Sequence, residues 1–236
     1  MNTAEQIKHN WQAVQNAIAR ACKRSGRDVN AVSLMVVTKY AADEDVLSLL
    51  STHQVRHIGE SRVQQAITRW TRPTFAQYQV VKHFIGHLQK NKAAQAAELF
   101  DFIDSIDDFR TAQLLDQHAK RLQKNLSVLV QIKLTDRESQ SGVSLEQAPR
   151  LVKELSTLTH INPCGYMAIA PQSADAESLR PLFRQVKAAF DRDFPPAKGP
   201  RYLSLGMSND FEVAVEEGSS LPRVGSKLFA HHSEEL

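Results

Sequence analysis

33-SLMVVTKY-40 is an apolar run that ends on a lysine. Its length and β-branched content suit a strand buried on both faces, as in a parallel sheet. Burying an unpaired ammonium is costly, so a lysine closing such a run is unusual. Strand alternation puts Met35, Val37 and Lys39 on one side and Leu34, Val36 and Thr38 on the other. If the first set faces the inside of a closed sheet, Lys39 stands at the mouth of that interior. A desolvated amine in such a place is a nucleophile toward a carbonyl. The alternative is a lysine that snorkels to solvent at a strand end.

Outward from this strand the chain alternates strand and helix signals. Strand exits fall near Lys39, Gly59, Gly86, Ser105, Lys133, Met167, Leu205 and Gly225. Their mean spacing is about 27 residues, the length of a minimal βα unit. Eight such units close into a (β/α)8 TIM-type barrel, with active residues at the carboxyl ends of the strands. Ile7, Trp11, Val14 and Ile18 fall at helical spacing and predict one extra helix before the first strand. Further helices are predicted over 87–100, over 177–190 and over 209–217, the last capped by Ser208 and stopped at Gly218. Ser144 and Gln147 stand at capping-box spacing. An open doubly wound sheet would need a glycine-rich first turn for a dinucleotide, and Lys39-Tyr40-Ala41 follows the first strand instead.

The 236 residues are close to the roughly 250 of one barrel, so residues 1–236 are read as a single domain. With 29 basic and 26 acidic side chains the charge is too even to argue for nucleic acid or an anionic membrane. Cys22 and Cys164 lack metal-type spacing. The start, 1-MNTAEQIKHN-10, has no apolar signal region, and no run approaches the roughly 20 apolar residues of a span. These features read as a cytoplasmic protein with reduced thiols, and as a monomer, since no apolar seam stands out. His83 and His87 are four apart but straddle a predicted strand end, and zinc would need further ligands.

The turns after strands seven and eight carry a shared pattern. In 206-GMSN-209 and in 223-RVGSK-227 a glycine is followed by a hydroxyl and by amides opening the next element. Adjacent backbone N–H groups bind phosphate, and barrels often place a phosphate site there. Ordinary capping explains either motif alone. Beside Lys39, the pair suggests one ligand with both an aldehyde and a phosphate. Pyridoxal 5′-phosphate (PLP) has both.

The segments 36-VVTKY-40, 59-GES-61, 84-FIGHLQKNK-92, 165-GYMAI-169, 203-LSLGMSNDFEVAV-215 and 223-RVG-225 together resemble the pyridoxal phosphate homeostasis proteins, over essentially the whole chain. The resemblance implies a barrel like the N-terminal domain of alanine racemase, the PLP fold type III. It implies Lys39 as the Schiff-base lysine, with Ser208, Gly225 and Ser226 at the phosphate. Arg223 would face the pyridine nitrogen, and Ser204 and Met207 would join the cofactor contacts. A guanidinium on that nitrogen discourages its protonation and makes the ring a poorer electron sink. The chain departs from the family pattern at four places. Tyr40-Ala41-Ala42 replaces Thr-Lys-Pro, and Ser61-Arg62 replaces Asn-Tyr after Gly59-Glu60. Gln140 stands where the family tends to carry a lysine, and Ala230-His231-His232 replaces Gly-x-Arg after Phe229.

Racemases of the related fold add a second β domain that supplies a catalytic tyrosine. Here the sequence stops soon after the eighth unit, so no such domain is expected. The reading is therefore a PLP carrier without catalytic turnover, which takes part in vitamin B6 homeostasis and passes the cofactor to PLP-dependent apo-enzymes. The alternatives are a PLP-dependent racemase or lyase, and a lysine-dependent aldolase acting on a sugar phosphate.

Overall fold

Eight short strands, all parallel, form one sheet in the computed structural model, which describes residues 3–135, 140–196 and 198–230. They are β1 (Met35–Val37), β2 (His57–Glu60), β3 (Val81–Phe84), β4 (Phe102–Ile106), β5 (Leu126–Ile132), β6 (Ile161–Ala168), β7 (Tyr202–Ser204) and β8 (Arg223–Val224). Their spatial order is β7-β6-β5-β4-β3-β2-β1-β8, so sequence neighbours pair and β1 also pairs with β8, Met35 opposite Arg223. Helices run between them: α1 (Thr3–Ser25), α2 (Asp43–Leu50), α3 (Val63–Trp70), α4 (Pro73–Ala76), α5 (Ala93–Leu99), α6 (Phe109–Arg121), α7 (Ala148–Leu155), α8 (Arg180–Asp193), α9 (Phe211–Glu216) and α10 (Ser226–Phe229). This is the expected (β/α)8 barrel with a leading helix.

The seam between β7 and β8 has no strand ladder. It is bridged by Arg223 N donating to Gly206 O (3.0 Å), Leu221 N to Leu203 O (3.1 Å) and Ser204 Oγ to Leu221 O (3.0 Å). Strand alternation then divides the apolar side chains into two zones. Val36, Ile58, Ile103, Val128, Tyr166 and Val224 point outward into a shell shared with the helices. Phe102, Leu129, Cys164 and Met167 fill the interior, with Val81 and Tyr202 packed against them. The interior is thus a packed core.

The helix α1 lies across the end of the chain. Ile7, Trp11, Val14 and Ile18 are buried as their spacing predicts. Asn10 Nδ2 donates to Leu228 O (3.0 Å) and Ala230 O (3.1 Å), and Arg24 pairs with Glu212 and Glu216. These contacts fix α9 and α10, the two elements that follow the seventh and eighth strands.

Several boundaries differ from the sequence reading. The first strand stops at Val37, and Thr38-Lys39-Tyr40 turn away toward α2. The predicted helix over 87–100 opens as a 3-10 turn, Lys90–Lys92, before α5. The helix placed over 177–190 begins instead at Arg180, because Pro181 needs no N–H partner in a first turn and favours a start there. Ser208 does not cap the next helix. That helix starts at Phe211, and Asp210 Oδ1 accepts from Met207 N in the preceding turn. Ser144 and Gln147 do make the reciprocal hydrogen bonds of a capping box, at 3.4 and 3.3 Å. His231 and His232 lie outside the described residues, and no described helix is long and apolar enough to cross a membrane.

Replacing Asn10 with alanine strands two carbonyls at the end of α10 and should lower stability by about 1–3 kcal/mol. Denaturant unfolding of Asn10→Ala beside the parent chain measures it. An unchanged midpoint would mean that α1 does not hold the C-terminal turn.

Candidate functional site

Lys39 sits two residues beyond β1, half-buried, in the turn 38–41. Its ammonium forms no ion pair with any described residue, and it stands 5.0 Å from the centroid of the Tyr40 ring. Tyr40 itself is 80% exposed. The backbone beneath Lys39 is tightly held. Thr38 N donates to Gly59 O (3.1 Å), and Thr38 Oγ1 donates to the buried Glu60 carboxylate (2.7 Å). Arg69, from α3, donates to Thr38 O and Ala41 O, both at 2.8 Å. The same guanidinium donates to Glu60 Oε1 (3.0 Å) and Asp43 Oδ1 (2.8 Å).

The ends of β8 and β1 meet at Gly225. A Cβ at that position would stand 2.8 Å from Val37 O, so only glycine allows the approach. Gly206 has φ +87°, and a Cβ there would come within 2.8 Å of Phe211 Cα. Both turns therefore keep the glycines that their sequence pattern suggested. The amides of Ser208 and Ser226 make no hydrogen bond to other described residues. Ser208 is partly exposed, Ser226 is exposed, and Met207 is 37% exposed. Of these, Ser226 follows Gly225, which approaches the end of β1 that leads to Lys39.

Arg223 is buried, and its guanidinium crosses the seam. Nη1 donates to Ser204 O (2.7 Å) and Ser204 Oγ (2.8 Å), and Nη2 to Ala168 O (2.8 Å). Burial pushes its pKa down to about 10, while the Asp104 and Asp210 carboxylates pull the other way, so it stays charged at neutral pH. Nε is left without a partner among the described residues. Ser204 is fully buried, and its hydroxyl is committed to Arg223 and Leu221 O, so it holds the arginine in place.

Sequence reasoning missed a polar chain inside the barrel. His57 Nδ1 lies 3.0 Å from His83 Nε2, and His83 Nδ1 lies 3.0 and 3.2 Å from the Asp104 carboxylate oxygens. All three are buried. Burial, then the neighbouring His83 and Arg56, lower the His57 pKa to about 4, so this ring is neutral. The signal was a polar side chain at an inward position of an otherwise apolar strand. His87, by contrast, reaches outward to Ser141 Oγ (3.4 Å) and shares no site with His83. Gln140, at the family's lysine position, accepts from Thr135 N (3.0 Å) and donates to Ile169 O (2.7 Å).

The comparisons with known proteins agree with this architecture. The sequence profile of the alanine racemase N-terminal domain family matches residues 3–233. Alanine racemase of Clostridium difficile 630 is 16% identical, with a TM-score of 0.71 over 98% of this chain and 58% of its own, a likeness of fold alone. The class is therefore a racemase-type barrel. At the level of sequence, the pyridoxal phosphate homeostasis protein of Haemophilus influenzae is 31% identical over 225 residues, 94% of each chain. PipY of Synechococcus elongatus PCC7942, solved with PLP bound, is 31% identical with a TM-score of 0.77, over 91% of this chain and 100% of its own. The chain belongs to the pyridoxal phosphate homeostasis protein family.

His57 makes a prediction about acid stability. Its pKa is about 4 folded and about 6.5 unfolded, so the unfolded chain takes up the proton first. The contribution is fully present above about pH 6.5 and is lost as pH falls from there through about 4, to a total of about 3 kcal/mol. Denaturant unfolding at pH 7 and pH 4.5 should show a steeper loss for the parent chain than for His57→Asn. Equal losses would contradict the neutral buried ring.

Proposed function

We propose that this protein binds PLP through a Schiff base to Lys39 and serves PLP homeostasis without catalytic turnover. The observation that carries the reading is the placement of Lys39. Lys39, whose ammonium pairs with no described residue, follows by two positions the Val37 carbonyl that Gly225 approaches, and the amides of Ser208 and Ser226, unbonded to other described residues, lie in the turns after β7 and β8. That donor set matches a ligand with an aldehyde at one end and a phosphate at the other. The PLP bound to PipY, at 31% identity, supports the same ligand here.

When bound, PLP would supply an aldehyde for reversible condensation with the Lys39 side-chain nitrogen, with loss of water. The chain's own residues do the rest. The Ser208 and Ser226 amides and hydroxyls, with the close backbone at Gly225, would donate to the phosphate. Met207 would line the same turn. Arg223, fixed by Ser204 and Ala168 O, would offer Nε to the pyridine nitrogen. A permanent cation at that atom opposes its protonation, and an unprotonated ring draws electrons poorly, which favours holding over turnover. We assign the protein a carrier role in the cytoplasm, as a monomer that releases PLP to apo-enzymes. The name shared by the family's curated relatives favours this over a racemase or lyase.

Visible absorbance after loading with PLP tests the reading. The parent chain should be yellow, and Lys39→Ala colourless while still retaining PLP loosely through its phosphate. Steady turnover of any amino acid by the loaded protein would contradict the carrier role. A colourless parent chain would contradict the site.

A further inference from the structure

The contacts around Arg69 have a distribution that charge neutralisation does not require. Four hydrogen bonds leave this buried guanidinium, and three of them end on the segment 38–43. Thr38 O and Ala41 O bracket residues 39–41, and Asp43 is the first residue of α2. The fourth ends on Glu60, whose Oε1 also accepts from Thr38 Oγ1 and from Trp70 Nε1 (3.1 Å). Glu60 closes β2, so this carboxylate ties the turn to the barrel wall.

A buried ion pair is a weak source of stability, because its desolvation offsets most of the attraction. What it supplies well is geometry, since the planar guanidinium fixes several acceptors at once. The turn it fixes is the one that carries Lys39. A lysine side chain is long and rotamer-rich, so its amine can be aimed only if its backbone is held. We propose that Arg69, anchored by Glu60, is a positioning residue for Lys39: it sets where the amine meets an incoming aldehyde and does not touch the ligand. This rests on the reading of Lys39 as the Schiff-base lysine.

Two ligands separate aiming from binding. PLP condenses with the amine. Pyridoxine 5′-phosphate carries an alcohol in place of the aldehyde and cannot condense, so it reports only on the phosphate and ring contacts. In Arg69→Lys the charge opposite Glu60 is kept, but one ammonium cannot reach Thr38 O, Ala41 O and Asp43 together. The expected result is PLP capture slowed about 10- to 100-fold, read as growth of the visible band, with pyridoxine 5′-phosphate affinity unchanged. Asp43→Asn, which keeps Arg69 and loosens one of its partners, should slow capture in the same selective way by less, and it decides the matter if Arg69→Lys does not fold. PLP capture at the parent rate in the folded variant, or an equal loss for both ligands, would overturn the proposal. If the parent chain takes up pyridoxine 5′-phosphate but never condenses with PLP, Lys39 is not the Schiff-base lysine and the underlying reading fails instead.

Discussion

Between β7 and β8 no ladder forms, and bridging that gap is the constraint on which the site depends. Arg223 N on Gly206 O, Ser204 Oγ on Leu221 O and the Arg223 guanidinium on Ser204 O and Ala168 O do the bridging. Three strands are thereby tied by one buried cation. The β1–β8 ladder already sets Gly225 against Val37, two residues before Lys39, and the seam adds the turn after β7 to that group. Without the seam the turn after β7, with Gly206 and Ser208, would belong to the edge of an open sheet opposite the one formed by β8, away from Lys39.

The same closure accounts for the polar content of the interior. A buried guanidinium needs acceptors, and three are provided by Ser204 and Ala168. The Asp104 carboxylate faces it electrostatically and is in turn held by His83 and, through it, by His57. On the far side of the wall Glu60 and Arg69 form a second buried pair, directed at the turn that bears Lys39. Through Oε1 of Glu60 and the acceptors of Arg223, contacts that hold these buried charges also fix pieces of the site, while Glu60 Oε2 has no partner among the described residues. The helix α1 works from outside, tying down α9 and α10 through Arg24 and Asn10.

The barrel was legible because eight apolar runs recur at the length of a βα unit, and each observed strand ends within two residues of its expected exit. Helix starts were less so: the helix placed from Glu177 begins at Arg180, where Pro181 suits a first turn, and the one expected to be capped by Ser208 begins at Phe211. Lys39 and the two glycine turns were candidates from local pattern, because a lysine closing an apolar run and a glycine before a hydroxyl are local features. The anchoring of Arg223 could not, for its partners lie 19 and 55 residues away. Arg69 gave no sign in sequence at all: it sits on an amphipathic helix where an arginine usually faces water. Only the packing of α3 against the turn 38–43 shows its acceptors.

Borohydride reduction of the PLP-loaded protein, followed by peptide mapping, tests the central claim most directly. Reduction turns a reversible C=N bond into a permanent mark on whichever lysine carries it. The mark should fall on Lys39 alone, one per chain, with the many surface lysines clean. A mark on another lysine, or a scatter over the surface with Lys39 unmodified, would contradict the assignment of the site.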